Sequence, residues 1–195
     1  MLERIYSLGY NDKTNVQYSL DGDFMSLSIL DGEKAFSINK EKFHPGISFG
    51  NSEVGLASLS ISAFIMRLVC TNGMISKTDL SKSFKHISGK VLDKFPEILE
   101  GVASELTFNK EQFKHSLAST VDDPELTFSS FNRQFQLNEP EREAVTWAWP
   151  FEQGGTMFNI VNTYTKASQF EELPAASSFK LQKAGGQILS MVRAS

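Results

Sequence analysis

Residues 51–72 read Asn51-Ser-Glu-Val-Gly-Leu-Ala-Ser-Leu-Ser-Ile-Ser-Ala-Phe-Ile-Met-Arg-Leu-Val-Cys-Thr-Asn72, and this stretch decides the fold class. A polar turn (Asn51, Ser52, Glu53) opens it, and Cys70-Thr71-Asn72-Gly73 closes it with a second turn signal. Between them Ala57, Leu59, Ile61 and Ala63 alternate with Ser58, Ser60 and Ser62. A period of two predicts a strand with one apolar and one polar face. From Phe64 to Cys70 only Arg67 interrupts the apolar run, so that part should be covered on both faces.

Upstream, Met25, Leu27 and Ile29 alternate with Ser26 and Ser28, Asp31-Gly32 offers a turn, and Ala35 to Ile38 returns. Asp-Gly favours the tight hairpin in which both central residues have positive φ, so a hairpin is predicted over 24–38. His44-Pro45-Gly46 reads as a break, with Ile47 to Phe49 leading into the central strand. Residues 1–20 read as an arm or a short docked element.

Downstream the period changes. Phe84, Ile87, Val91, Leu92, Phe95, Ile98, Leu99, Val102 and Leu106 recur at three- and four-residue steps, a long amphipathic helix kinked or restarted at Pro96. The acidic segment 107–125 reads as a helix or loop ending in an Asp122-Asp123-Pro124 linker. Aromatic and polar residues alternate over 126–137, which predicts a strand. A helix starts at Glu139-Pro140-Glu141 and ends near Trp149-Pro150. Two more helical patterns follow Gly154-Gly155, the second containing Gly185-Gly186, which marks a break or a close packing contact. Strands first and helices later indicate α+β: an antiparallel β-hairpin sheet packed by the long helix and by C-terminal helices. All 195 residues read as a single domain, with residues 139–195 as a C-terminal helical lobe.

At 195 residues, 41% hydrophobic and 22% charged, the chain can bury a sizeable core. Net charge is −4, so no global field attracts nucleic acid or an anionic membrane. A lone cysteine, Cys70, excludes an internal disulfide. The opening Met-Leu-Glu-Arg-Ile-Tyr-Ser-Leu lacks the basic start and apolar core of a secretion signal. No apolar run approaches the roughly 18 residues needed to cross a bilayer, so no membrane partner is expected.

Asn51, Ser52, Glu53, Gly55, Arg67, Cys70, Asn72, Gly73 and His86 together form a pattern that resembles a phage- and plasmid-borne family, domain-of-unknown-function family 932. Asn162-Thr163 through Ala184-Gly185-Gly186 is similar to that family's closing helices. The resemblance covers about residues 20–190 and implies a short version, close to the core domain alone. It further implies a mobile-element protein encoded among DNA-maintenance and recombination genes, acting in the cytoplasm of a bacterial host cell.

The chain shows no motif for catalysis. His44, His86, His115 and Cys70 lack metal-ligand spacing, and no cofactor motif is present. Cys70 and His86 would make a nucleophile and base only if the helix folded back on the strand, and a cysteine ending an apolar strand more often packs as a small hydrophobe. Gly46, Gly50 and Gly55 are too scattered to cradle phosphate.

Charge segregation is more telling. Net charge is −3 over 1–63, +4 over 64–94, −7 over 95–155 and +2 over 156–195. Lys82, His86, Lys90 and Lys94 fall at steps of four on one helix face, with Lys77 and Lys85 nearby. Such a row tracks a phosphate backbone or is simply a solvated helix face. Arg67 must reach a carboxylate, Glu53 being the candidate, or point to a ligand. Asn51, Ser52, Glu53 and Asn72 form one polar turn patch if their turns share a sheet end. Trp147 and Trp149 either stack on a partner or fill the core.

The expected function is non-catalytic DNA handling: binding or annealing single-stranded DNA in recombination or replication, with homo-oligomers in the annealing version. The alternative is a protein-binding module that inhibits or recruits a host or phage protein through the acidic half.

Overall fold

In the computed structural model, the described residues are 15–21, 24–31, 35–38, 40–52, 60–67, 72–75 and 109–192. The strands are β1 (Asn15–Asp21), β2 (Phe24–Leu30), β3 (Phe36–Ile38), β4 (Glu41–Ser52), β5 (Ser60–Arg67) and β6 (Asn72–Ile75). Helix α1 covers residues 109–118. It is followed by α2 (Pro124–Gln134), α3 (Glu139–Glu152), α4 (Met157–Ala167) and α5 (Ala175–Met191). The class is α+β, as expected. The long helix read over 82–106 lies outside the described residues.

The sheet order is β1-β2-β4-β5-β6, with β3 also paired to β4, and every pairing is antiparallel. The sheet is curled: α5 packs on β6 at one edge and on β1 and β2 at the other. In register, Ile29, Ile47 and Ala63 share one face, and Ser28, Ser48 and Ser62 share the other. The serine face is not solvated. Ser28, Ser48 and Ser62 are 7%, 1% and 1% exposed, and Ser28 Oγ donates to Ser48 Oγ at 3.1 Å. Phe179 of α5 covers this face by joining Leu30, Phe64, Met66 and Ile75 in one apolar cluster. Alternation located the strand, but serine is small enough to be buried once its hydroxyl has a partner.

Two readings of the first strands are corrected. The 24–38 hairpin does not form: β2 pairs with β1 and β4, while β3 pairs only with β4. Asp31 N–H donates to Pro45 O at 2.8 Å, which ties the end of β2 to β4 instead of turning it toward 35–38. Likewise His44-Pro45-Gly46 does not break the chain and lies inside β4. β2 pairs with β4 from Gly46 onward and β3 pairs with it up to Phe43. Pro45 therefore sits where the neighbour changes, and its missing N–H interrupts no ladder. At Gly46 a Cβ would lie 2.0 Å from Ile29 O, so only glycine permits this strand approach.

The 126–137 segment, read as a strand, is mostly helix α2. Asp123 caps it, accepting from Leu126 N–H at 2.9 Å, and Pro124 takes the first turn. Phe128, Phe131 and Phe135 surround the Tyr164 ring at centroid distances of 6.0, 6.3 and 6.3 Å. That three- and four-residue spacing outweighs the local alternation. Helix α3 starts where expected, on a reciprocal cap: Glu141 N–H donates to Asn138 Oδ1 (3.0 Å) and Asn138 N–H to Glu141 Oε2 (2.9 Å). It passes through Pro150 to Glu152.

Gly185 marks a close contact within an unbroken α5, because its Cβ would meet Thr165 Cγ2 of α4 at 2.5 Å. Alanine gains about 1 kcal/mol in helix propensity, but overpacking costs about 1–3 kcal/mol. Gly185→Ala should therefore lower the urea midpoint; a raised midpoint would contradict the close packing.

His44 supplies a second expectation. Both ring nitrogens are buried without a hydrogen-bond partner. Burial, aided by Lys42, holds its pKa below 6.5. The unfolded chain then binds the proton more tightly, so this contribution is complete above pH 6.5 and is lost as pH falls toward the depressed value. Urea titrations from pH 7.5 down to about 5 should show that loss in the native chain and not in His44→Phe.

Candidate functional site: a groove between α2 and α3

Arg67 ends β5 and is 9% exposed. Its Nε and Nη2 pair with both carboxylate oxygens of Glu41, the Nη2–Oε1 distance being 2.7 Å, and Nη1 donates to Glu152 Oε2 at 2.6 Å. The guanidinium also lies 5.6 Å from the Phe158 ring centre. Burial pulls its pKa down, but the bonds to Glu41 and Glu152 outweigh this and hold it above the ordinary value. The expectation that Arg67 reaches a carboxylate holds, with Glu41 and Glu152 as the partners; Glu53 lies outside the described residues. An arginine committed in this way is a structural tie between β4, β5 and α3 and does not face a ligand.

The other sequence candidates separate. Lys77, Lys82, Lys85, His86, Lys90 and Lys94, with Cys70, lie outside the described residues. Asn72 pairs with Arg67 at one end of β5, whereas Gly50 pairs with Ser60 at the other, next to Asn51 and Ser52. The described members of the polar turn patch are therefore separated by the length of β5. Among the described residues, no group of three or more His, Cys, Asp or Glu could hold a metal ion, and no helix is long and apolar enough to cross a membrane.

The structure also brings together residues that the sequence left apart. Along α2, Glu125, Phe128, Ser129, Asn132 and Arg133 share one stripe, with Gln136 just past the helix end, and Arg142, Val145, Thr146 and Trp149 form the matching stripe on α3. They line an open groove of about 730 Å³ together with Leu137. Its aromatic end is Phe128 and Trp149, in edge contact at 5.0 Å and 73°. Toward the 135–138 connection, Arg133 and Arg142 flank it. Arg142 Nη1 is tethered to Leu137 O at 2.8 Å. Tyr164, fully buried, donates its O–H to Asn132 Oδ1 at 2.7 Å, which leaves the Asn132 amide N–H groups as donors; burial raises the Tyr164 pKa. Trp147 points away from the groove, packing on Phe151 and Phe170 at 5.2 and 5.4 Å. The two tryptophans thus belong to different surfaces.

Of the groove residues the sequence singles out Trp149 alone; those of α2 are hidden by the strand reading of 126–137. The signal was present in Asp123-Pro124-Glu125, a helix start that puts Phe128, Asn132 and Arg133 on one face.

No protein-family model matches the chain, and no curated protein or solved structure matches it.

Removing the guanidinium strands two carboxylates in a poorly hydrated site. Arg67→Ala should cost about 3–5 kcal/mol in urea unfolding. Replacing Arg67, Glu41 and Glu152 together by methionine should cost much less. Equal losses in both variants would contradict the tie.

Proposed function

We propose that this protein is a non-catalytic binding module that takes a segment of a partner protein into the α2–α3 groove. The observation that carries the reading is the groove itself, with an aromatic end, a two-arginine end and a rigid backing provided by Tyr164. A cavity of this size, with apolar ground at Phe128, Val145 and Trp149 and polar groups around it, suits a ligand or peptide segment. The family resemblance supports a mobile-element setting, with a phage or host protein in the bacterial cytoplasm as partner.

The second reading is single-stranded DNA handling. It is favoured by the charge over 64–94, which is +4 in total and +3 once the ion-paired Arg67 is set aside, and by the Lys82, His86, Lys90, Lys94 row. Self-association into annealing oligomers belongs to this reading alone.

The two readings diverge in one experiment on the full chain. A bacterial lysate is passed over the native chain, a groove-filling Thr146→Trp variant, and a Lys82→Glu/Lys90→Glu/Lys94→Glu variant. Labelled single-stranded oligonucleotides are titrated in parallel. The expected result is a protein retained by the native chain and the lysine variant and lost with Thr146→Trp. Oligonucleotide binding that weakens between about 50 and 200 mM salt and vanishes in the lysine variant, with no groove-dependent protein, would overturn it.

A further inference from the structure

Resting on the groove reading, we propose that the occupant is an acidic amphipathic helix, its carboxylates held by Arg133 and Arg142 and its apolar side chains seated on Phe128 and Trp149. The two lining stripes have helical spacing and face each other, and Glu125 to Arg133 of α2 spans about 12 Å. A helix of roughly eight residues has that length, and laying its apolar face between two helices is a recurring mode of peptide recognition.

Donors dominate the end toward the 135–138 connection. Arg133 makes no ion pair or side-chain hydrogen bond among the described residues. Arg142 uses Nη1 on Leu137 O and keeps its remaining N–H groups. Asn132 presents its amide N–H groups, since Tyr164 occupies its oxygen. Glu125, the only acid lining the groove among the described residues, lies at the opposite, aromatic end.

An occupant must therefore be acceptor-rich at one end and apolar at the other. Charge complementarity also sets selectivity. Residues 109–192 carry net charge −3, so an acidic segment is weakly repelled by the lobe and attracted locally at the two guanidiniums. At physiological salt the long-range repulsion is screened beyond about 8 Å, so the contact at the groove wins. An opening along one side favours a chain segment over an enclosed small molecule.

The test is selection of a displayed random library of about 12-residue peptides, long enough to span the groove as a helix, on the full native chain. Affinities of the enriched peptides are then measured with native protein, Arg133→Glu/Arg142→Glu and Thr146→Trp. The expected result is enrichment of peptides with Asp or Glu on one side of an apolar stripe. Their affinity should fall at least about tenfold in the arginine variant and be lost in Thr146→Trp. Groove-dependent peptides that are neutral or basic, and indifferent to the arginine variant, would overturn the acidic occupant while leaving the groove reading intact. Failure to enrich any peptide sensitive to Thr146→Trp would overturn both.

Discussion

One buried cation ties the end of α3 to the sheet. Arg67 stands at the end of β5, takes Glu41 from β4 with a two-pronged contact, and takes Glu152 from the last turn of α3. Lysine could not make that arrangement, because only a planar guanidinium presents donors to two carboxylates in fixed directions. Burying one positive and two negative groups contributes little net stability against an apolar alternative. It does penalise any other placement of α3, since a displaced Glu152 would leave charge unpaired in a site walled by Phe43, Phe113 and Phe158.

Those aromatic walls extend the tie. Phe36 stacks on Phe43 at 5.4 Å, Phe43 meets Phe113 at 5.0 Å, and Phe113 meets Phe158 at 6.1 Å. The row links β3, β4, α1 and α4, so the ion pairs and the apolar core lock the same elements together. With α3 and α4 fixed, Tyr164 on α4 positions α2 through Asn132 and its three phenylalanine neighbours. The groove is consequently held from below: Tyr164 sets the α2 wall, while Val145 and Trp149 belong to the helix anchored by Glu152. A groove built on fixed helices needs less ordering when a ligand binds, which favours affinity.

The sequence was legible where one periodicity dominated. Residues 60–67 alternate and then turn apolar, and they form the strand β5; α3 begins at its Glu139-Pro140-Glu141 signal, and α4 and α5 cover the last two helical patterns. Errors arose where two signals competed. Phe128 to Phe135 satisfies both a two-residue and a helical spacing, and only the Asp123-Pro124 start decides between them. Asp31-Gly32 carries hairpin chemistry, yet long-range pairing of β2 with β4 prevails. Pro45 would end most strands and is accommodated because the neighbouring strand changes there. The necessity of a partner for Arg67 was readable from its apolar surroundings, but its identity was not: Glu41 lies 26 residues away and Glu152 lies 85. The groove was least legible of all, since it requires two helices to be placed side by side.

Docking of a partner segment between α2 and α3 is read out by amide hydrogen exchange of the full chain, free and saturated with a groove-selected peptide. Slowed exchange on binding should be concentrated in Pro124–Gln134 and Glu139–Glu152, with the sheet strands unchanged. Protection concentrated in residues 82–94, with α2 and α3 unaffected, would contradict it and move the working surface to the lysine row.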